Sequence, residues 1–149
     1  MPDRIQINDD ITVGAQPSEA ELKAMADEGV KSLVNLRTDD EPMQRLSPEE
    51  EGRIAREFGL EYAHIPVSME EADMQLVDRF RKQLDRLSKP AYIHCRLGKR
   101  AGAFVMMDQG VKTDMSGEKV LKSAEDMGFE WDEEALAGFV KDYVNSRNS

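Results

Sequence analysis

Residues 91–102 read Ala-Tyr-Ile-His-Cys-Arg-Leu-Gly-Lys-Arg-Ala-Gly, which sets the only cysteine of the chain, Cys95, between an apolar run and a cationic, glycine-bearing loop. Arg96, Lys99 and Arg100 place three cations within six residues. An arginine presents a planar fork of N–H donors that matches two oxygens of a phosphate or sulfate. If residues 91–93 form a buried strand and the apolar run 101–107 opens a helix, the amides at that helix N-terminus face Cys95. There they favour its thiolate and a bound oxyanion alike. The pattern predicts an anion-binding cysteine site lined by Arg96, Leu97, Gly98, Lys99 and Arg100, with His94 orienting the loop. A lone cysteine is more often a small buried hydrophobe, and the flanking Arg96, Gly98 and Arg100 reverse that reading here.

The elements that must position this loop follow from caps and periodicity. Residues 4–7 and 11–14 alternate weakly around an Asn-Asp-Asp turn and predict a short hairpin at one edge. Ser18 with Glu21 is a capping box for a helix stopped by Gly29, and Ser47 with Pro48 and Glu50 announces a second that ends at Gly59. Strands are predicted at 30–36 and 60–67. Asp73 caps a helix whose Leu76, Val77, Phe80, Leu84 and Leu87 share one face, closing at Pro90. The strand ending in His94 follows, then helices to about Gln109, from Ser116 to Met127, and from Asp132 to about Asn145. The β-α-β-α-β-α alternation implies an α/β fold: a mainly parallel central sheet of four to five strands, with helices on both faces.

In such a sheet the loops at the strands' carboxyl ends share one edge, which is where ligands bind. Residues 37–41, 68–71 and 95–100 are therefore expected to be neighbours. With Cys95 as nucleophile, the loop amides and Arg100 would hold the equatorial oxygens of a phosphoryl group, and a phosphocysteine intermediate would follow. The leaving oxygen needs a proton, and Glu70 and Glu71 are the first candidates for the acid. Asp39, Asp40 and Glu41 form a second set, beside a proline in a segment that reads as a solvated loop. Arg37, at a strand end, either approaches the anion or pairs with an acid such as Glu41.

At 149 residues the chain has the length of one domain, and a single domain over 1–149 is expected. Its 40% hydrophobic and 34% charged residues are ordinary for a globular protein. A net charge of −10 opposes long-range attraction to nucleic acid or an anionic membrane, so neither is expected as a partner. The single cysteine fits a reducing, cytoplasmic setting. The start of the chain has no apolar signal core, and the longest uncharged apolar run, 101–107, is far short of the ~20 residues that span a bilayer. Two histidines and one cysteine give no recognised zinc spacing, so no metal and no cofactor are predicted.

Four segments carry a family resemblance: Gly14-Ala15-Gln16-Pro17; Val34-Asn35-Leu36-Arg37 with Glu41; His64-Ile65-Pro66-Val67; and His94-Cys95-Arg96-Leu97-Gly98-Lys99-Arg100. Over residues 5–128 the chain resembles the cysteine-dependent phosphatases of the dual-specificity and tyrosine type. Within them it resembles the compact bacterial branch, the beta-lactamase-hydrolase-like phosphatase domain. The resemblance implies a phosphoric monoester hydrolase acting on a phosphorylated protein or a small phosphoester. The loop departs from the wider superfamily in two ways: the arginine comes one position early, at Arg100, and Ala101 brings no hydroxyl to help the thiolate leave. Two other readings stay open. The shortened loop also looks like that of rhodanese sulfurtransferases, where the cysteine carries a persulfide, and a phosphate-binding regulatory module would keep the loop without turnover.

Overall fold

A computed structural model describes residues 1–148. The elements run β1 (Arg4–Gln6), β2 (Ile11–Gly14), α1 (Glu19–Asp27), β3 (Ser32–Asn35), α2 (Pro48–Glu57), β4 (Glu61–His64), α3 (Met74–Arg86), β5 (Ala91–His94), α4 (Lys99–Lys112), α5 (Gly117–Asp126) and α6 (Glu134–Arg147). The single sheet has the order β1-β2-β5-β3-β4. Only β1 is antiparallel to its neighbour; β2, β5, β3 and β4 run parallel. The expected fold class is the observed one. Among the described residues, no helix is long and apolar enough to cross a membrane.

Strand alternation divides the core between two faces. Leu33 and Tyr92 point to one side, where they pack with Leu22 and Met25 of α1 and Ile54 and Ala55 of α2. Val34, Ala91 and Ile93 point to the other, under Phe80 of α3, Phe104 of α4 and Val140 and Tyr143 of α6. The Phe80 and Phe104 rings meet edge to face with centroids 5.5 Å apart, a favoured aromatic geometry. Helix starts lie where the caps predict them. Both capping boxes form in full, and the Asp73 and Ser116 side chains accept the backbone N–H of Leu76 and Lys119.

Two departures from the sequence reading bear on how the elements pack together. Helix α4 does not stop at Gln109 but continues through Gly110 to Lys112. A Cβ on Gly110 would lie 2.4 Å from Val120 Cγ2, so this glycine lets α5 approach α4 and is not a terminator. The other departure concerns β2. It was expected only as half of an edge hairpin, yet it pairs with β5 from Ile11↔Ala91 to Gly14↔His94. This places β5 in the middle of the sheet and brings the segment after Gly14 to the same edge as Cys95. The strand expected over 60–67 is shorter, ending at His64. Beyond it the Ile65 and Val67 N–H groups still donate to Asn35 and Leu36, while the intervening Pro66 has no N–H to offer.

Candidate active site

Cys95 leaves the carboxyl end of the central strand and is only 1% exposed. The chain turns through Arg96 and Leu97 to Gly98, whose φ of 102° opens α4 with no side-chain cap. A positive φ is inexpensive only for glycine, which accounts for the residue type here. Gly98 N–H donates to Cys95 Sγ at 3.1 Å. Helices α1, α2, α3 and α5 each have a side chain on a first-turn amide; α4 has none. Its orphan N–H groups are left for an anion held beside the sulfur.

Arg100 sits at the far end of this loop and is fixed from outside it. Its Nη1 donates to Glu41 Oε2 at 2.7 Å and to the Val67 carbonyl at 2.9 Å, and its Nη2 donates to Glu41 Oε1 at 2.8 Å. A guanidinium has five N–H bonds, so these contacts leave the Nε–H and one Nη2–H, adjacent on a single edge. That edge is a fork of the kind that grips two phosphate oxygens. The Glu41 contacts raise the Arg100 pKa against partial burial, and Cys95 is close enough to add to the rise.

Glu41 is bound on every side, accepting also from Arg37 Nε at 3.1 Å and Thr38 N–H at 2.6 Å. Burial opposes its ionisation, but the bonds from Arg100, Thr38 and Arg37 outweigh it and hold the carboxyl at about 2. It is therefore an anion at neutral pH and no proton donor.

Arg37 is 2% exposed. Its three nitrogens go to Glu41, to Gln16 Oε1 at 2.5 Å and to the Pro42 carbonyl at 2.9 Å, which makes it a bracket between loops. Gln16 passes the connection to Glu51, 3.1 Å away. Glu51 and His94 are both fully buried, with Nε2 of the histidine 2.6 Å from Oε1 of the acid. At that distance from a carboxylate, Nε2 carries the proton and donates. The His94 Nδ1 lies 3.2 Å from the Cys95 carbonyl. Hydrogen bonds thus run from Arg100 through Glu41, Arg37, Gln16 and Glu51 to His94, the residue before Cys95.

The remaining predicted residues divide. Glu70 lines a hollow of about 320 Å3 together with Arg100, Glu41, Val67, Ser68 and Met69. Glu71 is exposed and outside that lining; its N–H closes a turn on Ser68. Lys99 turns its side chain away to the Glu130 carbonyl and Asp132. The Arg96 side chain is exposed, and its one hydrogen-bond partner among the described residues is Met43 Sδ, at 3.9 Å. Leu97 is 63% exposed at the loop tip. Asp39 faces a different hollow beside His64 and Tyr62, and Asp40 accepts from Thr38 Oγ1. Sequence reasoning missed Gln16 and Glu51 as parts of the site. For Glu51 a signal existed: with Ile54, Ala55 and Phe58 it occupies helical apolar positions, where an acid needs a buried partner.

Residues 4–138 match the model of a family described as DSP-PTPase phosphatase fused to NAD+ kinase. A beta-lactamase hydrolase-like protein of Agrobacterium fabrum is 31% identical over 100 residues, which cover 65% of this chain and 22% of that protein. The chain thus spans under a quarter of the length of this relative. Among solved structures, a candidate phosphatase of Shewanella putrefaciens superimposes with a TM-score of 0.83 at 19% identity, covering 99% of this chain and 94% of the other. TpbA of P. aeruginosa, solved in complex with pTyr, gives a TM-score of 0.75 at 17% identity over 97% of this chain and 88% of its own. At such identities the superpositions establish the shared fold.

Proposed function

This chain belongs to the family of DSP-PTPase phosphatases fused to NAD+ kinase, and on that footing we propose that it hydrolyses phosphomonoesters through the Cys95 thiolate. The observation that carries the reading is the Arg100 guanidinium, clamped by Glu41 and Val67 so that its two-donor edge is left beside Cys95. Such pre-set donors stabilise charge on a transferring phosphoryl group without having to reorganise during the reaction.

In the first step Cys95 Sγ attacks phosphorus while the ester P–O bond breaks. The Arg100 edge and the amides of residues 96–100 hold the equatorial oxygens, and Glu70, in its acid form, gives the leaving oxygen a proton. In the second step water attacks the phosphocysteine, the Glu70 carboxylate takes the water proton, and the S–P bond breaks to release inorganic phosphate and the thiolate. Glu70 is preferred to Glu71 because it lines the hollow that holds Arg100, and Glu41 is excluded by its bound, ionised state. Arg37, Gln16, Glu51 and His94 are positioning residues, as is Glu41 through Arg100. The substrate is a phosphorylated protein or a small phosphoester.

The test is turnover of an aryl phosphate by the purified protein. Hydrolysis that disappears in Cys95→Ser, while phosphate binding persists, is the expected result. Cyanide-dependent turnover of thiosulfate without phosphatase activity would replace this function with sulfur transfer.

A further inference from the structure

A second cleft opens at the other end of the cysteine loop from Glu70. Arg4, Arg37, Arg45 and Arg96, together with Asp3 and Glu21, line a cavity of about 380 Å3, within the ~300–1,000 Å3 range of small-molecule sites. Four arginines converge there in a chain of net charge −10. Two are committed: Arg4 to Glu21 at 2.8 Å, and Arg37 to Glu41, Gln16 and Pro42. Arg45 has no hydrogen-bond or ion-pair partner among the described residues, and Arg96 has only the Met43 sulfur. On a surface rich in Asp and Glu, and in a cavity that Asp3 and Glu21 also line, two arginines without a carboxylate partner form a local anion trap in a repulsive field.

The cleft is built into the loop. Arg96 adjoins Cys95, its carbonyl accepts the Gln16 N–H, and Gly14 accepts the Cys95 N–H. The cavity therefore borders the residue next to Cys95.

We propose that the substrate is a small molecule carrying two phosphates, one hydrolysed over Cys95 and the other held by Arg45 and Arg96 in this cleft. The proposal deepens the phosphatase reading and rests on it. The planar forks of two arginines suit a dianionic phosphate, and the second contact lowers the barrier only for substrates long enough to reach both sites.

The experiment compares kcat/KM for p-nitrophenyl phosphate, for glucose 6-phosphate against glucose 1,6-bisphosphate, and for fructose 6-phosphate against fructose 1,6-bisphosphate, in the unaltered protein and in Arg45→Ala. Each bisphosphate is expected to exceed its monophosphate by about tenfold or more. Arg45→Ala should remove most of that advantage and leave aryl phosphate turnover within twofold. In parallel, calorimetric titration of the Cys95→Ser protein with inorganic phosphate should give two sites per chain, and one after Arg45→Ala is added. Equal kcat/KM within both pairs, equal loss on every substrate in Arg45→Ala, or a single phosphate site in both proteins overturns the proposal. If no monoester turns over, or turnover survives Cys95→Ser, the phosphatase reading fails instead, and the stoichiometry of phosphate binding still judges the cleft.

Discussion

Replacing Glu41 by glutamine tests whether Arg100 is aimed from outside its own loop. The carboxylate takes four donors, two from Arg100 and one each from Arg37 and the Thr38 amide. A carboxamide has one oxygen, and its NH2 must face at least one guanidinium. The drop in the Glu41 pKa from 4.5 to about 2 corresponds to at most ~3.5 kcal/mol at ~1.4 kcal/mol per pH unit. Because 17% of the side chain is exposed, water screens part of this, and about 1–2 kcal/mol is the working figure. The folded-state pKa lies below the unfolded one, so this stabilisation is complete above about pH 4.5 and vanishes as the pH falls through about 2. Urea unfolding should therefore show Glu41→Gln to be about 1–2 kcal/mol less stable at pH 7, with the gap roughly halved or smaller at pH 3. Aryl phosphate kcat/KM should fall by about a hundredfold, since misplacement of a catalytic group by ~1 Å costs that much. A variant with kcat/KM within twofold of the original, or an undiminished stability gap at pH 3, refutes the argument.

Glu70→Gln should reduce kcat by about a hundredfold for an alkyl or phenyl phosphate, whose leaving group needs a proton, and much less for p-nitrophenyl phosphate; equal losses on all of them would remove Glu70 as the acid. Gly102→Ala puts a Cβ 2.3 Å from Phe129 Cε2, in a ring already tilted against Trp131 with centroids 4.4 Å apart. Overpacking of about 1–3 kcal/mol should outweigh the helix-propensity gain of about 0.5–1 kcal/mol, and differential scanning calorimetry should find Tm lowered by a few degrees. Glu51→Ala strands the buried His94 donor and should cost about 3–5 kcal/mol in a denaturant titration, whereas Glu51→Gln, which still offers His94 an acceptor, should recover part of it.

Legibility in the sequence followed the range of the interactions. The caps at Ser18, Ser47 and Asp73 are written within four residues of the helices they start, and the sequence alone marks each. The cysteine loop is equally local, and its position at the end of β5 follows from the apolar residues before it. The partners of that loop are not local. Glu41 looks like one of several acids in a polar turn, and only the crossing of β3 beside β5 brings it to Arg100. Glu51 was hidden in the run Glu49-Glu50-Glu51, which reads as a favourable charge cluster at a helix N-terminus, although only the third acid turns inward. The run of α4 past Gln109 was hidden because a glycine suits both an ending and a close approach, and at Gly110 the difference lies in Val120, ten residues further on.

Helix α4 is buried along nearly its whole length, from Ala101 to Asp108 without interruption. Cys95 is thus mounted at the head of a helix gripped by its neighbours, while the surroundings of the cleft, in segments 38–46 and 65–72, are surface chain apart from the buried Val67. In the proposed reaction the sulfur and phosphorus chemistry is anchored to the interior, and discrimination between substrates is delegated to the periphery. A lineage of such proteins can exchange its clientele by rewriting those outer segments without disturbing the reaction beneath them.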